Sequence, residues 1–261
     1  MIGKLMKYDL KKMFRILVYI YVCAISLAGI TRLINIGKDI QILEIIGYIF
    51  AGCTYSAIGS VLINTFVQIL RVFIGDFYKD ESYLTHTLPV EKSKLLISKY
   101  LSSLIVIVCS VLVSFLSLFV VLYSKELFEG IRALLEVSVA GFNMSIAGFL
   151  TLLIFIVFEQ ICGMISMAFA SIIIGCRENS RRILKGLLTF IAFYMISMMF
   201  TFVILAIVFA ISGNIGEFFA SSLSQGSFIT ILILGLVLYF VYAVGFFLIS
   251  YKLFKKGVNV D

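Results

Sequence analysis

The sequence predicts an all-α integral membrane protein with six transmembrane helices. Of its 261 residues, 62% are hydrophobic and 13% are charged, whereas a soluble domain averages just under half apolar and about a quarter charged. This excess is too large for one soluble core, and it is concentrated in six long apolar runs. Each run has the roughly 20 residues that a helix needs to cross about 30 Å of hydrocarbon. Strands are excluded, because no run shows the alternation of a membrane barrel.

The six runs follow one another along the whole chain, so residues 1–261 are predicted to form a single transmembrane domain. The predicted spans are residues 16–34, 45–70, 100–122, 146–174, 187–211 and 228–249. The five cysteines lie in or at the ends of these runs. They therefore predict neither a disulfide framework nor a metal site.

Lysine and arginine are distributed unequally between the segments that connect the spans. Seventeen of the 21 lie in the amino end, the second loop, the fourth loop and the carboxy tail. Since cytoplasmic segments are enriched in basic residues, both termini and the loop of residues 75–99 are predicted to be cytoplasmic. The net charge of +7 belongs to this pattern, and membrane lipids rather than nucleic acid are the expected partners.

Two outer segments are longer than a minimal turn. Residues 127–141 carry leucine and isoleucine at helical spacing between charged residues, which predicts a short helix lying in the membrane interface. Residues 212–227 are rich in serine and glycine and include Phe218 and Phe219, a composition compatible with a segment that dips into the outer leaflet. A loose linker is the alternative for both.

Motifs that would give the chain chemistry of its own are missing from the sequence. It contains no Gly-x-x-x-x-Gly-Lys-Ser/Thr, no His-Glu-x-x-His and no Gly-x-Ser-x-Gly. The single histidine, His86, has no cysteine or second histidine nearby. We therefore expect no enzymatic activity and no cofactor or metal bound by this chain.

The cytoplasmic loop of residues 75–99 places aromatic residues among charged ones. Tyr83 and Leu84 follow Asp80 and Glu81 in a region that should face the cytosol. A short helix here would present an aromatic face to a partner's groove, with acidic residues at the rim. The alternative is an amphipathic helix that rests on the membrane surface without a partner.

A resemblance to a known family rests on the same loop. The stretch from residue 80 to residue 99 reads Asp-Glu-Ser-Tyr-Leu-Thr-His-Thr-Leu-Pro-Val-Glu-Lys-Ser-Lys-Leu-Leu-Ile-Ser-Lys. It resembles the membrane subunit of type-2 ABC exporters, in which a motif close to Tyr-Leu-x-x-x-Leu-Pro-x-x-Lys/Arg-x-x-Leu-x-x-Lys marks the cytoplasmic region that meets the ATPase. The six spans and the basic amino end are also similar to that family.

The resemblance implies a permease subunit of a bacterial cytoplasmic membrane. It implies work as a dimer, with a second copy or a related permease, and with a separate cytosolic ABC ATPase that holds ATP and Mg. The ATPase-coupling residues that it implies are Asp80, Glu81, Tyr83, Leu84, Leu88, Pro89, Lys92 and Lys94. The scarcity of charge inside the spans favours an amphipathic or apolar cargo, such as a peptide, lipid or drug. The alternative is a non-transport membrane protein, an immunity or assembly factor that acts by helix–helix binding.

The second span carries a stripe of polar side chains. Ser56, Ser60, Asn64 and Gln68 fall within about 120° of arc at about 100° per residue. Such a stripe is costly against lipid, so it is expected to pack against another helix or to line a water-filled path.

Glu159 is the one acidic residue deep in a predicted span. Cys162, Gly163 and Ser166 follow it at helical spacing, so its face is the one that another helix can approach. Two readings remain open. One is a neutral carboxyl that is hydrogen-bonded to a neighbouring span, and the other is a role in gating or cargo contact, with proton coupling as a lesser possibility.

Overall fold

The computed structural model describes residues 2–37, 41–78, 91–123, 129–130, 132–133, 145–176, 182–213, 216 and 224–255. Its six long helices are α1 (Ile2–Ile36), α2 (Gln41–Tyr78), α3 (Lys92–Leu122), α4 (Ile146–Gly175), α5 (Arg182–Ile211) and α6 (Gln225–Lys255). The described residues contain no strand. All six helices are long and apolar enough to cross a membrane. The predicted all-α class with six spans is therefore confirmed, whereas the side on which the termini lie stays a prediction.

The first three helices are longer than their predicted spans. They contain 35, 38 and 31 residues, which at about 1.5 Å per residue gives lengths of about 52, 57 and 46 Å. The hydrocarbon is only about 30 Å thick. The amino end of α1, the carboxy end of α2 and the amino end of α3 thus carry extra turns that hydropathy did not predict.

The chain divides into two compact units, Met1–Gly130 and Ile131–Asp261. Unit 1 holds α1, α2 and α3, and unit 2 holds α4, α5 and α6. The assignment of residues 1–261 to a single domain stays a prediction. The predicted outer segments 127–141 and 212–227 lie mostly outside the described residues.

The core of unit 1 is formed by buried side chains that recur every three or four residues along its helices. The buried apolar side chains of α1 are Met13, Leu17, Tyr21, Ala24 and Ala28. On α3 the same role is taken largely by serines, of which Ser103, Ser110 and Ser117 have no exposed surface. Since lipid is as apolar as a leucine side chain, small residues that permit close approach are what favour helix association in a membrane.

Hydrogen bonds between side chains tie the three helices of unit 1 together. The Ser110 hydroxyl of α3 lies 2.6 Å from the Tyr21 hydroxyl of α1 and 2.7 Å from the Thr65 hydroxyl of α2. Thr31 and Thr54 join α1 to α2 at 2.7 Å. Each such bond contributes about 0.6 kcal/mol in a membrane protein, so each adds modestly to the packing of the three helices.

Unit 2 is arranged around α4, which packs against both α5 and α6. Glycines mark the close approaches. A Cβ added at Gly163 would lie 3.8 Å from the backbone nitrogen of Ala243 on α6, and one at Gly186 on α5 would lie 3.6 Å from Cα of Ile172 on α4. The small-residue face that contains Gly163 therefore does receive another helix.

Candidate functional site

Four charged side chains from three helices meet at one end of unit 1. We call Asp9, Lys12, Asp76 and Lys99 the ion cluster. The Lys99 ammonium donates to the carboxylates of both Asp9 and Asp76. Lys12 donates to Oδ1 of Asp76 at 2.6 Å, and the Ser98 hydroxyl donates to Oδ2 of Asp9 at 3.2 Å. Each carboxylate thus receives at least two hydrogen bonds.

The ion cluster is buried and carries no net charge. The side chains of Asp9 and Lys99 are each 6% exposed and that of Asp76 is 9% exposed, while Lys12 lies at the rim with 30% exposure. Burial of ions costs solvation energy, which pairing and hydrogen bonds offset. Removal of one partner from such a set typically destabilises a protein by about 3–5 kcal/mol, because it leaves an uncompensated buried charge.

The position of the ion cluster shows which helix ends lie together. Asp9 is near the amino end of α1, Asp76 is two residues before the carboxy end of α2, and Lys99 is about two turns into α3. These three ends therefore lie at the same end of unit 1. Residues 79–91 connect these ends of α2 and α3 in the sequence, and they include most of the residues predicted for coupling.

Of the predicted coupling residues, only two lie among the residues that the structure describes. Asp80, Glu81, Tyr83, Leu84, Leu88 and Pro89 fall outside them. Lys92 is the first residue of α3 and is exposed. Lys94 forms an ion pair with Glu91 at 3.2 Å, and because both side chains are largely exposed this pair contributes little to stability.

The polar stripe on α2 lies mostly outside the packed face of that helix. Ser56 and Asn64 are exposed, Ser60 is half-buried and only Gln68 is buried. The Ser60 hydroxyl donates to the Ala57 carbonyl at 2.7 Å, and the Asn64 amide donates to the Ser60 carbonyl at 2.8 Å. The face that packs in unit 1 carries instead Thr54, Ile58, Val61, Thr65, Ile69 and Val72. Apart from Gln68, the stripe therefore lies outside the contact of α2 with α1 and α3.

Glu159 is buried on α4, with 6% of its surface exposed. Its Oε2 atom has no hydrogen-bond partner among the described residues. The hydrogen bond to a neighbouring span that one reading requires is therefore not found for this oxygen. A buried polar atom without a partner costs about 1–3 kcal/mol, so the carboxyl is present at a cost to stability.

A cavity of about 340 Å³ lies between the three helices of unit 2. Its walls are mainly methionine and aromatic side chains, with a few hydroxyl groups. The Tyr242 hydroxyl donates to the Ser197 carbonyl at 3.1 Å and lies 2.9 Å from the Thr201 hydroxyl. The lining residues include Gln160, Met164, Met167, Tyr194, Met198, Phe202 and Tyr239. Apolar walls with a few polar groups are typical of sites for small amphipathic molecules.

Sequence reasoning missed both the ion cluster and this cavity. In the sequence, Lys12 and Lys99 are ordinary members of the basic segments of the positive-inside pattern, and no motif marks Asp9. One signal for the cluster was present, because Asp9 is the single acidic residue in the basic segment of residues 1–15. No comparable signal marks the cavity, since its walls use the same apolar residues as surfaces that face lipid.

The six long apolar helices define a multi-pass membrane protein. Its ion cluster lies at one end of unit 1, where α2 ends and α3 begins. A family model described as ABC-2 family transporter protein matches residues 30–177, more than half of the chain. The chain therefore belongs to the ABC-2 transporter family, and the resemblance inferred from the loop is confirmed. No curated protein and no solved structure matches it.

Membership in this family has two direct consequences. The chain is a membrane permease component of an ABC transporter. Permeases of this family associate in general with an ABC ATPase and are typically not catalytic themselves.

Proposed function

We propose that this chain is the membrane-spanning permease subunit of an ATP-driven exporter in a bacterial cytoplasmic membrane. It pairs with a separate cytosolic ABC ATPase, which holds ATP and Mg, and with a second permease chain. Both termini and the segment 75–99 face the cytosol. Movements of the ATPase act on this segment, and the helices respond by opening a path for an amphipathic or apolar cargo.

The observation that carries this proposal is the extent of the family match. Residues 30–177 include the whole segment 75–99, in which aromatic and acidic residues stand between two membrane-crossing helices. An aromatic face on a segment that leaves the membrane is suited to insertion into a groove of a partner protein. Tyr83 and Leu84 are the anchors that we assign to the ATPase.

The exposed polar stripe on α2 supports the proposal that a second permease chain packs against this helix. Ser56 and Asn64 are exposed, although they lie on a helix that crosses the membrane. Polar groups are costly against lipid tails, whereas a facing helix can pack closely on small side chains and accept their hydrogen bonds. We assign this stripe to the contact with the second chain.

The cavity in unit 2 supports the assignment of the cargo class. Its volume of about 340 Å³ is within the usual range for sites of small organic ligands. Methionine side chains adapt to ligands of different shape, and the hydroxyls of Thr201 and Tyr242 supply a polar end. An amphipathic molecule matches both features.

The proposal is tested by disrupting the two anchors together. The double variant Tyr83→Asp and Leu84→Asp should insert normally, because the membrane-crossing helices are unchanged. It should lose the ATPase, since a buried aromatic anchor typically contributes about 2 kcal/mol or more. The measurement is co-purification of the ABC ATPase that purifies with the unmodified chain, together with stimulation of its ATP hydrolysis.

Tyr8→Asp is the matched control. Tyr8 is an exposed aromatic residue on α1, outside the segment, and its replacement should leave both readouts unchanged. Unchanged co-purification and ATP hydrolysis in the double variant would instead favour a segment that rests on the membrane surface without a partner.

A further inference from the structure

The ion cluster joins the two helix ends that flank residues 79–91, the connection between α2 and α3. Asp76 is on the flank that ends α2, and Lys99 is on the flank that begins α3. Their contact holds the carboxy end of α2 against the first turns of α3.

The same lysine also holds the amino end of α1. Lys99 donates to Asp9, and Asp76 receives a second bond from Lys12 of α1. The two helix ends that flank residues 79–91 are therefore both bonded to α1. A displacement of either flank changes the position of α1 or breaks a buried ion pair.

Burial makes these ion pairs costly to open. Lys99 and Asp9 are 6% exposed, so water cannot easily replace either partner if the contact opens. Buried ion pairs depend on accurate geometry, because each charge must stay matched to its partners. An apolar contact of the same size has no such requirement, so it would restrict sliding of the helices less.

We propose that Lys99 is a positioning residue for coupling: through Asp9 and Asp76 it fixes the carboxy end of α2 and the first turns of α3 on the amino end of α1, so that these three helix ends move together. This inference rests on the proposed function for its coupling role. The positioning itself is a property of unit 1 and is measured without any ATPase.

The test replaces the three most buried charges by apolar residues. The variant Asp9→Leu, Asp76→Leu and Lys99→Met leaves no unpaired buried charge, and such replacements often preserve folding. Lys12 remains at the rim, where its ammonium can reach water. Asp9→Asn is a milder second variant that keeps the side-chain volume and leaves Lys99 paired with Asp76.

The first readout is the distance between spin labels at positions 7 and 92, measured on the full chain in lipid without the native cysteines. Both positions are exposed, one on α1 and one at the start of α3. We expect one narrow distance distribution for the unmodified cluster and for Lys99→Arg. The triple variant should give a distribution at least twice as broad, and Asp9→Asn an intermediate one.

The second readout is coupling, measured as stimulation of the ATPase and as export. We expect at least a tenfold loss in the triple variant and retention of at least half of the activity in Lys99→Arg. Thr54→Val is the matched control, because it removes a buried contact between α1 and α2 outside the ion cluster. It should leave both readouts unchanged.

The outcomes separate the two claims. An unchanged distance distribution in the triple variant overturns the positioning role, whether or not export falls. A broadened distribution with full export overturns the link to coupling. A broadened distribution in a chain that binds no ATPase supports the positioning and overturns the proposed function.

Discussion

The burial of Glu159 without a hydrogen bond to Oε2 changes the expected effect of replacing this residue. Its Oε2 atom is buried without a hydrogen-bond partner among the described residues, so Glu159→Leu should lose no hydrogen bond made by that oxygen. We expect Glu159→Leu and Glu159→Gln to assemble normally, with the leucine variant about 1–3 kcal/mol more stable to heat. Thermal denaturation in detergent is the measurement.

A carboxyl kept at such a cost is expected to serve gating or cargo contact, so both Glu159 variants should lose export by about tenfold, which corresponds to about 1.4 kcal/mol. Wild-type export by Glu159→Leu would show instead that the carboxyl has no role in transport.

Met198 and Met199 provide a matched pair for the cargo site. Met198 lines the cavity of unit 2 and its neighbour Met199 does not, although both side chains are largely exposed. Tryptophan at position 198 should fill part of the cavity and reduce export of a fluorescent amphipathic dye by about tenfold, about 1.4 kcal/mol. Tryptophan at position 199 should have little effect, and equal losses in the two variants would argue against this cavity as the cargo site.

The residues that sequence analysis singled out and those that the structure brings together overlap only in part. Ser56 and Asn64 were recognised because a polar residue in an apolar run is conspicuous. Lys99 and Asp9 were not, because each lies at a helix end where charge is ordinary. Their significance depends on a contact between residues 90 positions apart, which no local pattern contains.

Among the helices, the apolar runs predicted six elements correctly because the hydrophobic demand of the bilayer is uniform along each span. The same rule could not predict where α1 begins or α2 ends. Those turns contain charged residues, and their helical structure is supported by tertiary contacts such as the one between Lys12 and Asp76. The bounds of α4, Ile146–Gly175, agree closely with its predicted span, residues 146–174.

The contact between α4 and α6 can be tested with substitutions of increasing size at Gly163. An added Cβ at Gly163 makes only ordinary van der Waals contacts, the shortest at 3.8 Å, so Gly163→Ala should be tolerated. Gly163→Leu should force α4 away from α6 and lower stability by about 1–3 kcal/mol. The melting temperature in detergent is the measurement.

Gly245→Leu is the control for this series, because Gly245 on α6 has no atom within 4 Å of an added Cβ. It should be neutral. If Gly163→Leu were equally neutral, the approach of α4 to α6 would not be close in the membrane.

The polar stripe on α2 makes a prediction about a second chain. Asn64→Cys places a thiol on the stripe, and Leu62→Cys places one about 160° away at about 100° per residue; both native residues are exposed. In a background without native cysteines, oxidation should cross-link the Asn64→Cys variant into a dimer and leave Leu62→Cys monomeric. The reverse pattern would place the second chain on another face of α2.

For the molecule as a whole, the basic residues determine the expected orientation. Positions 7, 92 and 181 should be labelled by an impermeant thiol reagent only from the cytoplasmic side, and positions 125 and 213 only from outside. The ion cluster adds a constraint that residue counts do not contain, because it requires positions 7 and 92 to be on the same side. Single-cysteine variants in intact cells and inverted vesicles provide the measurement, and labelling of position 92 from outside would reject the orientation.

The charge balance of the ion cluster also restricts how this protein can change over evolutionary time. A single substitution that removes the charge of Asp9, Asp76 or Lys99 leaves the ion cluster unbalanced, at a cost of about 3–5 kcal/mol, which is a large part of the 5–15 kcal/mol that stabilises a typical protein. Viable lineages must therefore exchange these residues jointly, through paired or reciprocal mutations. Homologous chains are expected to inherit the set intact or to have replaced it with apolar residues, so positions 9, 76 and 99 should covary despite their separation in the sequence.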